Sequence, residues 1–167
     1  LENLLAQMAA LRVEQPLGAF YVVALPAELL LNVAFSDALS ATYIGGTQSY
    51  ELNGTQRLQQ PKRLEPIADF INRTDSAFPN AIILAANYRD EDGLIEDEPG
   101  AEELENEEDR DSVTGPDRRW NVVPRGDGTF LLTIPTAHRL AAAIDGQHRL
   151  FAFARAIASR REMPLLC

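Results

Sequence analysis

The spacing of apolar residues divides the first part of the chain into short segments with different periodicities. Leu1 to Leu11 has apolar side chains at positions 1, 4, 5, 8 and 11, the spacing of one helical face. The run LGAFYVVAL at 17–25 is β-branched and aromatic, and it predicts a strand that ends at Pro26. PAELLLNVAF follows and predicts a short helix, because a proline and Glu28 both suit a first helical turn.

The middle of the chain alternates polar and apolar stretches. Residues 36–60 are rich in Ser, Thr, Gly, Asn and Gln and predict a loop with short extended pieces, with turns at Gly45-Gly46 and Asn53-Gly54. The segment 61–75 has apolar positions 64, 67, 68 and 71 at helical spacing, and in this helix Pro66 is tolerable only in the first turn. NAIILAA at 80–86 has the character of a buried strand.

The last third begins with a hairpin signal and ends in apolar runs. Residues 119–135 form two extended runs around Gly126-Asp127-Gly128, which predicts a hairpin. Residues 140–144 fit either a strand or the start of a long helix, since alanine favours helix and the periodicity does not decide. Apolar positions 150, 153, 154 and 157 predict a helix face that is closed at residues 159–161, and MPLLC begins another apolar run.

The negative charge of the chain is concentrated in one segment. The net charge is −10, from 25 acidic and 15 basic residues. Between Asp90 and Asp111 there are 13 acidic residues and one arginine, so the remainder holds 12 acidic and 14 basic residues. We predict that 88–118 is an acidic, solvated and flexible loop. The overall acidity therefore does not exclude DNA or a nucleotide as a ligand of the remainder.

Composition is consistent with one domain of mixed α+β class. The chain has 167 residues, 46 % of them apolar, which suffices for a single core over 1–167. No apolar run approaches the roughly 18 residues needed to cross a bilayer, so we expect no membrane association. The one cysteine, Cys167, excludes an intramolecular disulfide, and with no leader-like N-terminus this predicts a cytoplasmic protein.

The common catalytic motifs are missing, and one polar pentapeptide stands out. The chain contains no phosphate-binding P-loop, no dinucleotide-binding glycine fingerprint, no paired-histidine zinc motif and no serine-nucleophile elbow. Its two histidines, His138 and His148, exclude a multi-histidine metal site. In AAAIDGQHRLFAFARA at 141–156, however, five residues of the sequence DGQHR interrupt an apolar run.

The chemistry of the pentapeptide suits a phosphate if a strand ends at Ile144 and a helix begins near Gly146. Asp145 would then stand at or beside the N-cap and bond first-turn amides, and Gly146 would permit a tight turn and a close approach. The free amides favour an anion, and the Arg149 guanidinium matches phosphate oxygens. His148 would donate to phosphate or take a proton, and Gln147 would orient a water or a ribose. The alternative is a surface turn between two helices.

IDGQHRLFAFARA resembles the signature of the DGQHR-domain proteins, a bacterial family that includes DndB, a regulator associated with DNA phosphorothioate modification. The upstream stretch from Asn53 to Ala85 also resembles that family, with a Gln-Arg pair, a helix, and a Phe-Pro before an apolar strand. More distantly, the arrangement is similar to the ParB/sulfiredoxin superfamily, in which a turn between a strand and a helix holds nucleotide phosphates. The resemblance implies a small mixed sheet flanked by helices.

The resemblance also implies roles for individual residues. Gly146, Gln147, His148 and Arg149 become nucleotide contacts, with Gln56 and Arg57 near the same pocket. Asp145, Gln147 and His148 become candidate catalytic residues, and Asp145 a candidate magnesium ligand, because defence nucleases with a DGQQR variant are tied to nucleoside triphosphate hydrolysis. Sulfiredoxin needs a cysteine in this turn, where the present sequence has Gln147 and His148, so sulfinic acid reductase chemistry is excluded.

These expectations define three competing functions. The first is a domain that binds ATP or another nucleotide with Mg²⁺, with slow hydrolysis, in a DNA-modification or phage-defence system. The second is a DndB-like transcriptional regulator that binds DNA through the full-length protein. The third is a non-catalytic interaction module in which Asp145 and Arg149 pair and His148 is buried. A homo-oligomer is compatible with all three, and the resemblance further predicts that residues 1–167 are a fragment of a longer chain.

Overall fold

A computed structural model describes residues 5–36, 40–53, 60–89, 93–94 and 119–167. Its strands are β1 (Leu5–Gln15), β2 (Gly18–Pro26), β3 (Ala34–Phe35), β4 (Ser40–Ile44), β5 (Ser49–Asn53), β6 (Ile83–Ala86), β7 (Tyr88–Arg89), β8 (Gly93–Leu94), β9 (Asn121–Pro124), β10 (Phe130–Pro135), β11 (Ala141–Asp145) and β12 (Pro164–Leu166). The helices are α1 (Ala27–Val33), α2 (Gln60–Asn72) and α3 (Gln147–Ala152), and short 3₁₀ turns follow at 153–155 and 158–160. The chain is therefore a mixed α+β protein.

The largest sheet has five antiparallel strands in the order β12-β2-β1-β10-β9. Its central strand, β1, pairs along its first half with β10 (Leu5 with Pro135) and along its second half with β2 (Gln15 with Gly18). The β9–β10 hairpin turns at residues 125–129, as the Gly-Asp-Gly signal predicted. One face of this sheet packs on the helices.

A second, smaller sheet positions the pentapeptide. It has the order β3-β11-β6, with β3 parallel and β6 antiparallel to the central β11. The three alanines at 141–143 are buried, because β11 lies between two strands and against the core. Two separate hairpins, β4–β5 and β7–β8, complete the described strands, and the first of them turns at Gly45-Gly46 as predicted.

The core lies between the large sheet and the helices. Leu30, Leu31 and Val33 of α1 are fully buried, as are Leu64 and Ile71 on the apolar stripe of α2. Beyond the pentapeptide the chain enters this core at once, and its fully buried residues there are Leu150, Phe151, Ala152 and Phe153. The apolar run after the motif thus anchors α3, and the polar residues before it remain at the surface.

The predicted helix over residues 1–11 is wrong, because residues 5–15 form β1. Both faces of β1 carry apolar residues, so the strand lacks a polar alternation and its leucines happen to match a helical spacing. Pairing with two neighbouring strands outweighs the helix propensity of alanine and leucine here. Residues 1–4 lie outside the described part of the chain.

Two further expectations need correction. Pro66 lies in the interior of α2 and not in its first turn, since the helix begins at Gln60. Because proline has no N–H, the carbonyl of Lys62 lacks its usual donor in the helix. The Pro66 side chain is exposed, so this carbonyl lies on the solvent side of the helix. The strand expected at 80–86 starts only at Ile83 and is partly exposed, while Ile82 just before it is buried.

Other expectations are confirmed. The strand at 17–25, the short helix after Pro26 and the hairpin at 119–135 all form, and the helix predicted over 61–75 forms but ends at Asn72. The run at 164–166 is a strand that pairs with β2. Of the acidic segment 88–118, the described residues 88–89 and 93–94 pair as β7 and β8, and the rest lies outside the described residues. No helix in the described ranges is long and apolar enough to span a membrane.

Candidate functional site

The pentapeptide sits at a sharp change from strand to helix. β11 ends at Asp145, Gly146 caps the helix, and α3 begins at Gln147. The reading of 140–144 as the start of a long helix is therefore wrong, and the strand reading is confirmed. A β-bulge accompanies the change: Ala143 pairs with Leu84 and Asp145 with Ile83, which leaves Ile144 as an extra, exposed residue. Bulges of this kind often redirect side chains beside functional sites.

Gly146 is required at the bend for two reasons. Its φ is +84°, in the left-handed region that residues with a side chain rarely adopt. In addition, a Cβ at this position would lie 2.7 Å from Ile82 Cδ1 and 2.9 Å from Arg149 Nη2. The absence of a side chain thus allows the segment 81–82 and the Arg149 guanidinium to close over the turn.

The Arg149 guanidinium holds the bend against the neighbouring segment. Its Nη2 donates to the carbonyl oxygen of Ala81 at 3.1 Å and lies 3.5 Å from Asp145 Oδ2. The arginine side chain is 24 % exposed, and the carboxylate is 69 % exposed. An ion pair as exposed as this one contributes little, up to about 1 kcal/mol. Arg149 is therefore partly engaged within the protein.

Asp145 lies beside the N-cap, one of the two positions expected for it, but its side chain makes no capping hydrogen bond. No side chain caps α3, and the N-cap residue is Gly146 itself. The reason is position: Asp145 still belongs to β11, one residue before the cap, and its carboxylate points to Arg149. The first hydrogen bond of the helix runs from the Leu150 amide to the Gly146 carbonyl at 2.9 Å. The amides of residues 147–149 precede it and have no acceptor within the helix.

Gln147 and His148 carry the unused polar groups of the bend. Both are partly exposed, and within the described part of the chain neither side chain makes a hydrogen bond. His148 is thus not the satisfied buried histidine that the interaction-module reading assumed. An amide and an imidazole that have no internal partner are free to contact a ligand.

All five residues of the motif line one concave pocket with Ile144. The pocket has a volume of about 320 Å³ and is shallow, more an open depression of the surface than an enclosed cavity. This volume lies at the lower end of the range for small-molecule sites. Ile144 was missed by sequence reasoning because it reads as the last residue of an apolar strand. Its exposure at the bulge is what places it on the pocket wall.

The structure brings together only part of the predicted site. Asp145, Gly146, Gln147, His148 and Arg149 are adjacent, whereas Gln56 and Arg57 lie outside the described residues. The segment 81–82 was also missed as a part of the site. In the sequence this segment is marked only by the Phe-Pro pair before it and the apolar run after it. Neither feature indicates that the Ala81 carbonyl oxygen accepts a hydrogen bond from Arg149.

Magnesium fits the site only as a companion of a phosphate ligand. Asp145 supplies one exposed carboxylate, and no group of three His, Cys, Asp or Glu residues suited to a metal occurs among the described residues. Mg²⁺ is commonly held by one or two carboxylates with waters and substrate phosphates as the other ligands. Asp145 is therefore the residue that would hold it, and the metal would neutralise phosphate charge there.

The basic residues after the motif are engaged within the protein. Arg155 pairs with Glu65, and Arg160 donates to the Arg73 carbonyl at 2.8 Å. Arg161 is buried, stacks over the Tyr50 ring and approaches the Gln48 carbonyl. These three arginines lie close together near the end of the sequence, and each has a partner within the protein.

The fold and the site define a class: a mixed α+β domain with a pocket at a glycine bend between strand and helix. Comparisons of the chain with protein-family models, with curated proteins and with solved structures gave no match. The resemblance of residues 145–149 and their flanks to the DGQHR-domain family therefore remains a resemblance.

Proposed function

We propose that the pocket at 144–149 binds the phosphate groups of a nucleotide such as ATP, together with Mg²⁺. One observation carries the proposal: five consecutive polar or glycine positions line a single pocket, and the side chains of Gln147 and His148 have no partner in the described part of the chain. A simple turn has no need for such an arrangement. The resemblance to DGQHR-domain proteins supports the same reading.

Each residue has a role that its surroundings suggest. The amides of 147–149 donate to phosphate oxygens, and His148 donates to or exchanges a proton with a terminal phosphate. Arg149 contributes those guanidinium N–H groups that do not face Ala81. Asp145 holds the metal ion, and Gln147 orients a water or a ribose hydroxyl. The six-residue α3 is too short for its dipole to matter, so the contacts are to individual groups.

We extend this proposal to slow ATP hydrolysis and to a role in a DNA-modification or phage-defence system. Both extensions rest on the resemblance of residues 145–149 to the DGQHR-domain family. Hydrolysis requires a positioned water, and Gln147 is the residue in the pocket that suits this role. We expect phosphate release from Mg-ATP that falls with Gln147→Ala and with Asp145→Asn. Absence of phosphate release would leave a binding domain without catalysis.

The experiment is isothermal titration of the chain with Mg-ATP and with a non-hydrolysable analogue. We expect saturable binding, weakened about tenfold by His148→Ala, which corresponds to about 1.4 kcal/mol for one hydrogen bond to a charged phosphate. The matched control is His138→Ala, since His138 is exposed and does not line the pocket. If no binding tighter than millimolar is found for either nucleotide, the proposal fails.

A second candidate function is an interaction module in which the motif serves only the fold. The hydrogen bond from Arg149 to Ala81 favours it, because the arginine then ties α3 to the segment before β6. If the motif serves only the fold, Arg149→Ala lowers the thermal stability, while Gln147→Ala and His148→Ala change neither the stability nor the binding of Mg-ATP. The same titrations combined with thermal unfolding therefore distinguish the two candidates. A DNA-binding role has no comparable observation in the described residues.

A further inference from the structure

Part of the face of the five-stranded sheet that points away from the core is an apolar patch, bounded on one side by the polar row Gln7, Thr133 and Asn121. Its cross-strand pairs are Val13 with Phe20 and Leu11 with Val22 on the β1–β2 hairpin. Next to them lies a row that crosses the whole sheet. From one edge of the sheet to the other, the members of this row are Leu166, Ala24, Ala9, Leu131 and Val123. Leu166 pairs with Ala24, Ala9 pairs with Leu131, and Leu131 pairs with Val123. We call these nine residues the outer face.

The outer face is unusual for an antiparallel sheet. The residues that alternate with it, such as Ala10, Val23, Leu132 and Leu165, are buried in the core. A sheet with one packed face normally presents polar side chains on the other. Here nine neighbouring positions are apolar and uncharged, although the next row on the same side, Gln7, Thr133 and Asn121, is polar. Leu11, Phe20, Val123 and Leu166 of the outer face are among the exposed large apolar residues of the chain. Contiguous patches of this kind mark interaction surfaces.

The relief of the outer face is self-complementary. Leu11 and Val22 form a ridge, and Ala9 and Ala24 on the same two strands form a depression beside it. Consider two copies stacked face to face and related by a two-fold axis that lies midway between the sheets, parallel to them and perpendicular to the strands. If the axis passes between the two rows, the ridge of each copy lies on the depression of the other. Leu11 of each copy would then contact Ala9 of its partner, and Val22 of each copy would contact Ala24. Such isologous contacts are typical of homodimers.

The area of the outer face also fits a weak dimer. Four of its members are large apolar residues that are 42–55 % exposed, and the other five are smaller or less exposed. Two copies would therefore bury roughly 1,000 Å² in all, which is below the size of standard specific interfaces and within the range of weak, transient complexes. We propose that the outer face is the homodimer interface of this chain, with the two sheets packed face to face. The absence of charged groups on it agrees with a second copy as the occupant.

The test is sedimentation equilibrium of the whole chain from about 5 µM to about 500 µM, which brackets micromolar dissociation. Salt near 0.15 M is needed, because the net charge of −10 on each copy opposes association. We expect a concentration-dependent dimer whose dissociation constant rises at least tenfold with Leu11→Lys. Ile157→Lys is the matched control, since Leu11 is 55 % and Ile157 is 52 % exposed and Ile157 lies outside the sheet. A monomer at every concentration, or an equal effect of both variants, overturns the proposal.

A pair of uncharged variants tests the geometry. Ala9→Leu fills the depression and Leu11→Ala removes the ridge, so each should weaken the dimer. The double variant exchanges ridge and depression and should restore most of the affinity. All of these positions are exposed in the single chain, so circular dichroism should show unchanged folding. A double variant as weak as the singles contradicts the two-fold packing.

Discussion

Replacing Gly146 by alanine tests the bend at the centre of the site. The methyl group would face two obstacles. The first is conformational: at φ +84° a residue with a Cβ costs about 1–2 kcal/mol relative to glycine. The second is steric, because the Cβ would lie 2.7 Å from Ile82 Cδ1 and 2.9 Å from Arg149 Nη2. Forcing a well-packed neighbourhood to shift costs about 1–3 kcal/mol more.

We therefore expect Gly146→Ala to lower the free energy of unfolding by about 2–5 kcal/mol. For a domain of this size that is a fall in Tm of roughly 5–15 °C. Thermal unfolding by circular dichroism and urea unfolding both measure it. Since Arg149 must move aside, binding of Mg-ATP should weaken as well.

Gly126→Ala is the matched control for this experiment. Gly126 has nearly the same φ, +81°, but nothing lies within 4 Å of a Cβ built on it. It should therefore lose only the conformational part, about 1–2 kcal/mol. The loss of unfolded-state entropy with alanine is the same in both variants and cancels in the difference. If the two variants lose equal stability, the crowding of Gly146 by Ile82 and Arg149 is refuted.

Three further predictions concern other parts of the chain. Pro66→Ala should stabilise by about 1–2 kcal/mol in urea unfolding, because it restores the amide donor to the Lys62 carbonyl inside α2; a loss of stability would contradict this. Arg149→Lys should lower Tm by a few degrees through weakening of the bond to Ala81, and an unchanged Tm would show that this bond contributes nothing. Burial raises the pKa of the Cys167 thiol to about 12. Because only the thiolate reacts, iodoacetamide should alkylate Cys167 about a thousandfold more slowly in the folded than in the unfolded chain. Equal rates would contradict the burial of the thiol. Because this pKa lies above the unfolded value near 9, the associated stability is complete below pH 9 and is lost as the pH rises towards 12.

The geometry of the bend could be predicted from the sequence because it is local. The alanine run, the glycine and the apolar residues after Arg149 together indicate a strand, a bend and an anchored helix, and these form as the phosphate reading required. Asp145 lies beside the N-cap Gly146, one of the two positions that were predicted for it, but its carboxylate pairs with Arg149 and does not bond the first-turn amides.

What could not be predicted depends on contacts between distant segments. Arg149 donates to the carbonyl of Ala81, 68 positions earlier in the chain. Every residue has a backbone carbonyl, so the residue types do not indicate which carbonyl accepts this hydrogen bond. The strand β1 was mistaken for a helix because both of its faces carry apolar residues, buried ones such as Ala10 on one face and exposed ones such as Leu11 on the other. Its mixed pattern has no two-residue period to detect.

A ¹⁵N-resolved NMR titration of the chain with Mg-ATP tests whether the bend at 145–149 presents its amides and polar side chains to a phosphate ligand. We expect saturable shifts of the amide signals of residues 146–149, reduced in the His148→Ala variant, with the amide signal of His138 unmoved. If millimolar Mg-ATP leaves the signals of 146–149 in place, the pocket is not a phosphate site.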